Sequence, residues 1–141
     1  MAVRAESRSF EVETSREGEV IDITGEVRRA VESSGVSNGL ATVFVTASTA
    51  AVTTIEFEPG LVKDFPEMLE RVAPKGAEYE HQKHWHDGNG HSHVKASLVG
   101  PSLSVPIVGG ALSLGEWQQL VLVELDVRPR TMNVVVQLIG E

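Results

Sequence analysis

All five histidines of the sequence lie between positions 81 and 93, as His81, His84, His86, His91 and His93, interleaved with Lys83, Trp85, Asp87 and Asn89. Imidazole is the commonest protein metal ligand and titrates near neutrality, so the cluster reads as a metal or acid–base site. With no cysteine in the chain, a metal must be held by His, Asp or Glu, and disulfides and a cysteine nucleophile are excluded. In an extended chain His84 and His86 share a face, as do His91 and His93. Either pair, with a third ligand from elsewhere, can hold one divalent ion. A solvated His-rich loop is the plain alternative.

The residues that follow suggest anion binding. Asp87-Gly88-Asn89-Gly90 is a turn, and a short helix can start at Asn89 and run through Val99. Its free N–H groups, with Lys95, suit a phosphate; the bland alternative is a capped helix with a surface lysine. A helix turns His91 and His93 apart by roughly 200°, so the helix and the shared-metal readings compete unless the helix begins after His91. Elsewhere, Glu56 and Glu58 close an apolar strand, where such residues are solvated or serve as a general base. Ser102 and Ser104, in Gly-Pro-Ser-Leu-Ser, do not make a nucleophile elbow. No P-loop or dinucleotide fingerprint is present.

The elements that must position these groups read as follows. Phe10 and Val12 alternate with Glu11 and Glu13, the pattern of a half-buried strand, and Val20 to Ile23 is a second strand. Thr24 can cap a helix with Val27, Ala30 and Val31 on one face, ending at Ser33-Ser34-Gly35. Leu40 to Phe57 reads as one or two buried strands broken near Ala47-Ser48. Leu61, Phe65, Met68, Leu69 and Val72 mark a helix face. Pro66 argues for a cap at Asp64, with Glu67 closing a capping box and Pro74-Lys75-Gly76 as the stop. Gly109-Gly110 between Leu103–Val108 and Ala111–Leu114 predicts a hairpin. Trp117 is expected to begin a strand, as core or interface. Leu120 to Val123 reads as a strand covered on both faces, and Met132 to Leu138 as an alternating one. The sum is an α+β fold, mostly antiparallel, with two or three helices.

At 141 residues the chain suits a single domain over 1–141, and its 20 acidic against 12 basic residues give a net charge of −8. That balance argues against nucleic-acid binding. The region Met1–Phe10 carries Arg4, Glu6 and Arg8 where an export signal has its apolar core, and no stretch has the roughly 20 apolar residues of a membrane helix. A cytoplasmic protein with no membrane partner is expected.

The run Asn89-Gly90-His91-Ser92-His93-Val94-Lys95-Ala96-Ser97-Leu98-Val99-Gly100-Pro101-Ser102 resembles the hallmark of the YjbQ-like proteins. Leu114-Gly115-Glu116-Trp117-Gln118-Gln119, Val135 to Glu141, Ser48-Thr49-Ala50-Ala51-Val52 and Tyr79 to His81 extend the resemblance over nearly the whole chain. It implies a compact α+β subunit with extensive antiparallel sheet, assembled as a homotrimer. It also implies a secondary thiamine-phosphate synthase, joining a pyrimidine diphosphate to a thiazole phosphate with release of pyrophosphate. Carried over residue by residue, His81, Asn89, His91, His93, Lys95, Trp117, Gln118 and Glu56 match family positions. The expected arrangement is a divalent ion, Zn or Mg, on His81, His91 and His93. Catalytic groups are expected among His81, Asp87, His93 and Glu56. The phosphorylated ligand is expected on Ser48, Thr49, Asn89, Lys95, Ser102, Trp117 and Gln118. Two departures stand out: Ala47 where many members have His, and Asp126-Val127-Arg128-Pro129-Arg130 in place of an Asp-Gly-Pro-Arg turn.

Overall fold

A computed structural model describes residues 2–141. The strands are β1 (Arg4–Glu13), β2 (Val20–Asp22), β3 (Gly39–Val45), β4 (Ala50–Ile55), β5 (Ser102–Val108), β6 (Ala111–Leu112), β7 (Gln119–Glu124) and β8 (Thr131–Gly140). The helices are α1 (Thr24–Ser34), α2 (Pro59–Val72), α3 (Glu80–Trp85) and α4 (Gly90–Val99). They form two antiparallel sheets, one ordered β1-β8-β3-β5-β6 and the other β2-β7-β4.

Alternation along the strands sorts side chains into layers. Ala41, Val43 and Val45 of β3, Met132 to Leu138 at even positions of β8, and Val105 and Ile107 of β5 face inward. They meet Val52, Leu120 and Leu122 of the smaller sheet and Val27 and Val31 of α1. The opposite side of the smaller sheet presents Ala51, Val121 and Val123 to Leu69 of α2 and Ala96 of α4. β7 is therefore covered on both faces, as its continuous apolar run predicts. The large sheet is covered on one face only. Its other face carries three rows across β1, β8, β3 and β5: Ala5-Ile139-Leu40-Pro106, Ser7-Gln137-Thr42-Ser104 and Ser9-Val135-Phe44-Ser102. None of these is charged, and Ile139, Leu40 and Phe44 remain 50%, 48% and 42% exposed; beyond them the face continues into exposed Glu11 and Glu13 of β1.

The Gly109-Gly110 hairpin forms as expected, with φ of 60° and 79°. Three local expectations are corrected. Thr24 does not cap α1: the Asp22 carboxylate accepts its N–H at 2.9 Å, and the Thr24 hydroxyl instead accepts from Leu120 N–H at 2.9 Å. α2 begins at Pro59, not Asp64. The Glu58 carboxylate caps Gly60 and Leu61, Pro59 fills the first helical position, and Pro66 lies inside the helix. Its packed face is Val62, Phe65 and Leu69, while Met68 and Val72 stay exposed. Trp117 sits in the turn before β7, exposed, because Gln118 ties that turn down by accepting from Gly115 N–H.

Candidate functional site

The histidine segment folds as a pair of short helices, not as an extended hairpin. α3 ends at His86, which adopts φ 57°, and Gly88 at φ 68° completes the reversal into α4. Gly90 lets the two helices touch, since a Cβ there would run into the Tyr79 Cβ and the Gln82 Oε1. The expected extended pairing of His84 with His86 is thus absent, and so is that of His91 with His93.

Two groups of side chains result, on different sides of α4. On one, the rings of His81 and His93 lie 4.5 Å apart between centroids, tilted by 40°. Asp87 Oδ1 is 3.3 Å from His81 Nδ1, an ion-pair distance without hydrogen-bond alignment. Asn89 stands at the head of α4, its carbonyl accepting Ser92 N–H at 3.0 Å and His93 N–H at 3.3 Å. Its side-chain amide lies between two carboxylates, one end 3.4 Å from Asp126 Oδ1 and the other 2.8 and 3.2 Å from the two Asp87 oxygens, which its NH₂ can serve as a donor. Four buried polar atoms at α3 and α4 have no hydrogen-bond partner: His81 Nδ1, Gln82 Oε1, His91 Nδ1 and Ser92 Oγ.

Behind Asn89 lies a buried scaffold that the sequence did not reveal. Asp126 accepts from Thr49 Oγ1 at 2.9 Å and Val127 N–H at 2.7 Å. Arg130 grips the fully buried Glu124 with two N–H donors at 2.9 and 3.1 Å, and Thr14 donates to the same carboxylate at 2.8 Å. Burial pushes the Asp126 carboxyl up. The Val127 N–H, the Thr49 hydroxyl and the Arg130 charge outweigh it and hold the group below its ordinary range.

On the other side, His91 is fully buried with Nε2 2.7 Å from Glu17 Oε1, and Lys95 Nζ lies 2.7 Å from Glu70 Oε1. Lys75 reaches Glu17 at 3.0 Å. Burial raises the Glu17 carboxyl, but the bonds from His91 and Lys75 bring it below its usual value; the Lys95 bond does the same for Glu70.

The expected ligand set of His81, His91 and His93 is therefore not assembled. His91 gives its Nε2 to Glu17 because the helix does begin at Gly90, and among the described residues no three His, Asp or Glu side chains converge. Lys95, expected on a phosphate, is 7% exposed and occupied by Glu70. Glu56, Trp117 and Gln118 sit at the Ile55–Gln119 end of the smaller sheet, whereas Thr49 and Asp126 adjoin its Ala50–Glu124 end. The length of β4, about 17 Å at 3.4 Å per residue, separates them. Gln118 bonds Thr54 there at 3.1 Å. Ser102 faces outward from the large sheet. Ser48 is exposed beside Thr49. The sequence-predicted residues that the fold does gather are His81, Asp87, Asn89, His93 and Thr49.

A family model described as UPF0047 protein YjbQ-like matches residues 8–141. The chain belongs to the YjbQ-like family. A UPF0047 protein of Methanothermobacter thermautotrophicus is 39% identical, covering 96% of this chain and 92% of its own. YugU of Bacillus subtilis is 33% identical, over 94% and 98%. Among solved YjbQ-like structures, that of a YbjQ-like protein of unknown function from Sulfolobus solfataricus superposes with a TM-score of 0.95 at 33% identity, covering 99% of this chain and all of that one. A hypothetical protein from Aeropyrum pernix gives 0.90 at 38%, over 96% and 99%. The YjbQ-like assignment and the α+β fold expected from the sequence both hold. No helix is long and apolar enough to cross a membrane among the described residues.

Proposed function

We propose that this YjbQ-like chain is a small-molecule enzyme of the secondary thiamine-phosphate synthase type, with a phosphorylated heterocycle as substrate. The observation that carries the reading is the paired His81 and His93 beside the α4 N-terminus, with unpartnered buried polar atoms at Gln82 and Ser92 in the same two helices. Buried polar groups without partners are costly, so such a cluster invites a polar ligand. In the reaction the thiazole nitrogen attacks the pyrimidine methylene carbon, and the carbon–oxygen bond breaks with its electron pair leaving on pyrophosphate. The Gly90 and His91 N–H groups at the start of α4 receive the diphosphate, those of Ser92 and His93 being bonded to the Asn89 carbonyl, and His93 delivers a proton to the departing oxygen. A divalent ion would neutralise the charge that develops on that group. The triad His81, His91 and His93 does not fit it, because His91 is committed to Glu17.

The test is formation of thiamine phosphate from the two precursors by purified protein. Wild type should give a slow turnover, and His93→Ala should lose it by about 10²-fold, the lower end of a general-acid contribution. Absence of product above background overturns the reading.

A second reading is a non-catalytic homotrimer holding a metal or small anion, and a separate observation bears on its assembly. The part of the outer face of the large sheet around exposed Leu40, Phe44 and Ile139 carries no charge and suits burial against further copies of the chain. Turnover by His93-dependent chemistry decides between the two, since the trimer itself is compatible with both.

A further inference from the structure

We infer that Asp87 and Asn89 are positioning residues that fix His81 as its Nδ1–H tautomer, so that the site presents the Nε2 lone pair as an acceptor. The chain of contacts starts at Asn89, 9% exposed at the head of α4. The end of its amide nearer Asp87 lies 2.8 Å from Oδ1 and 3.2 Å from Oδ2, distances at which an NH₂ group donates. The other end is 3.4 Å from Asp126, which already has the Thr49 hydroxyl at 2.9 Å and the Val127 N–H at 2.7 Å. The amide therefore serves Asp87. That carboxylate stands half-exposed on the turn between α3 and α4, and a buried donor behind it holds it in one place.

The next link is His81. Asp87 Oδ1 is 3.3 Å from its Nδ1, and that nitrogen is shielded from water. An unprotonated Nδ1 would turn its lone pair on a carboxylate with nothing to separate them. The proton accordingly sits on Nδ1, whether the ring is neutral or charged. The alignment is poor for a strong hydrogen bond, but the choice of tautomer needs only the sign of the field at that nitrogen. In water the Nε2–H form is the commoner one, so Asp87 inverts the default. The two neighbouring rings, 4.5 Å apart, then divide their work: His81 accepts at Nε2, and His93 donates. The group that His81 suits is an N–H donor on the heterocycle, such as an exocyclic amine. That assignment rests on the proposed function; the tautomer does not.

The experiment records nitrogen spectra of the full chain labelled with ¹⁵N-histidine, at about pH 8.5, well above the ordinary imidazole value of about 6.5. The His81 signals are identified by their loss in His81→Gln. Wild-type His81 should carry its proton mainly on Nδ1, and in Asp87→Ala mainly on Nε2. Asn89→Ala, which keeps the carboxylate but removes its donor, should shift the balance part of the way. His91, held by Glu17 on the other side of α4, reports on the fold, and its signals should stay in place in Asp87→Ala. An Nε2–H His81 in the wild type overturns the proposal with no variant needed, and so does an unchanged tautomer in Asp87→Ala. Thiamine-phosphate formation should fall about tenfold or more in Asp87→Ala, the direction expected when a catalytic imidazole takes the wrong tautomer. An Nδ1–H His81 without product from the wild type removes the proposed reaction and leaves the positioning; product from an Nε2–H His81 does the reverse.

Discussion

His91 and Lys95, one turn apart on α4, show how a buried charge can be structural. Each reaches a carboxylate from a different element, Glu17 before β2 and Glu70 near the end of α2. Lys95→Ala should accordingly lower stability by about 1–2 kcal/mol through lost packing of its stem and loss of its ion pair. Phosphate-ligand affinity should stay unchanged in calorimetric titration. A tenfold loss of that affinity with unaltered thermal stability would return Lys95 to the ligand. The acid response follows from the same residues. Glu17, Glu70 and Asp126 all titrate below their ordinary values in the folded chain. Their contribution is complete above the unfolded carboxylate range of about 4 and is lost as pH falls through the lower folded values. Denaturant midpoints should therefore be flat with respect to these groups from pH 7 to 5 and drop below about pH 4. A midpoint that rises on acidification would contradict the assignment.

At the scale of elements, Pro66 is the instructive case. Inside α2 it removes the N–H that would bond the Val62 carbonyl, yet the helix continues because Glu58 and Pro59 start it firmly and Phe65 and Leu69 anchor it. Pro66→Ala should restore that bond and stabilise the protein by about 1 kcal/mol, well under the full cost of an interior proline, since the native helix has already adapted. Urea unfolding measures it; a destabilised variant would show that the ring's packing near Gly18 outweighs the bond. Elements governed by local rules were legible from sequence: the Gly-Gly hairpin, the doubly covered β7, the alternating β8 and the helix from Asn89. α3 and the true start of α2 were not. Glu58 acts through its side chain, and the histidine pairs fitted strand spacing as readily as helix spacing. The site divides in the same way. His81, Asp87, Asn89 and His93 were marked by clustering in one segment. Glu17, Glu70, Glu124 and Asp126 were not, because they reach their partners only through the tertiary fold, and in a chain that is 23% charged nothing local distinguishes them.

Across the whole molecule, the two sheets differ in their exposure to solvent. The smaller is enclosed; the larger turns a face outward that is uncharged around Leu40, Phe44 and Ile139, with charge only at Glu11 and Glu13 toward one end of β1. A solvated antiparallel face is ordinarily polar and charged. Phe44→Glu, placed in the middle of that face, should therefore shift sedimentation toward the monomer while leaving the helix content by circular dichroism intact. An unchanged sedimentation coefficient would mean that copies of the chain do not meet there.

β8 lies between β1 and β3 and pairs with both, Arg4 facing Gly140 and Glu13 facing Thr131 along one edge. β1 thus has as its partner the strand of the sheet that lies farthest from it along the chain. Until β8 has emerged, β1 and β3 each lack a neighbour, and sequence-distant pairing of this kind closes slowly. The large sheet must close after β8 is made. During that interval a nascent chain exposes two unpaired strand edges, the condition under which chaperones bind and polysomes aggregate.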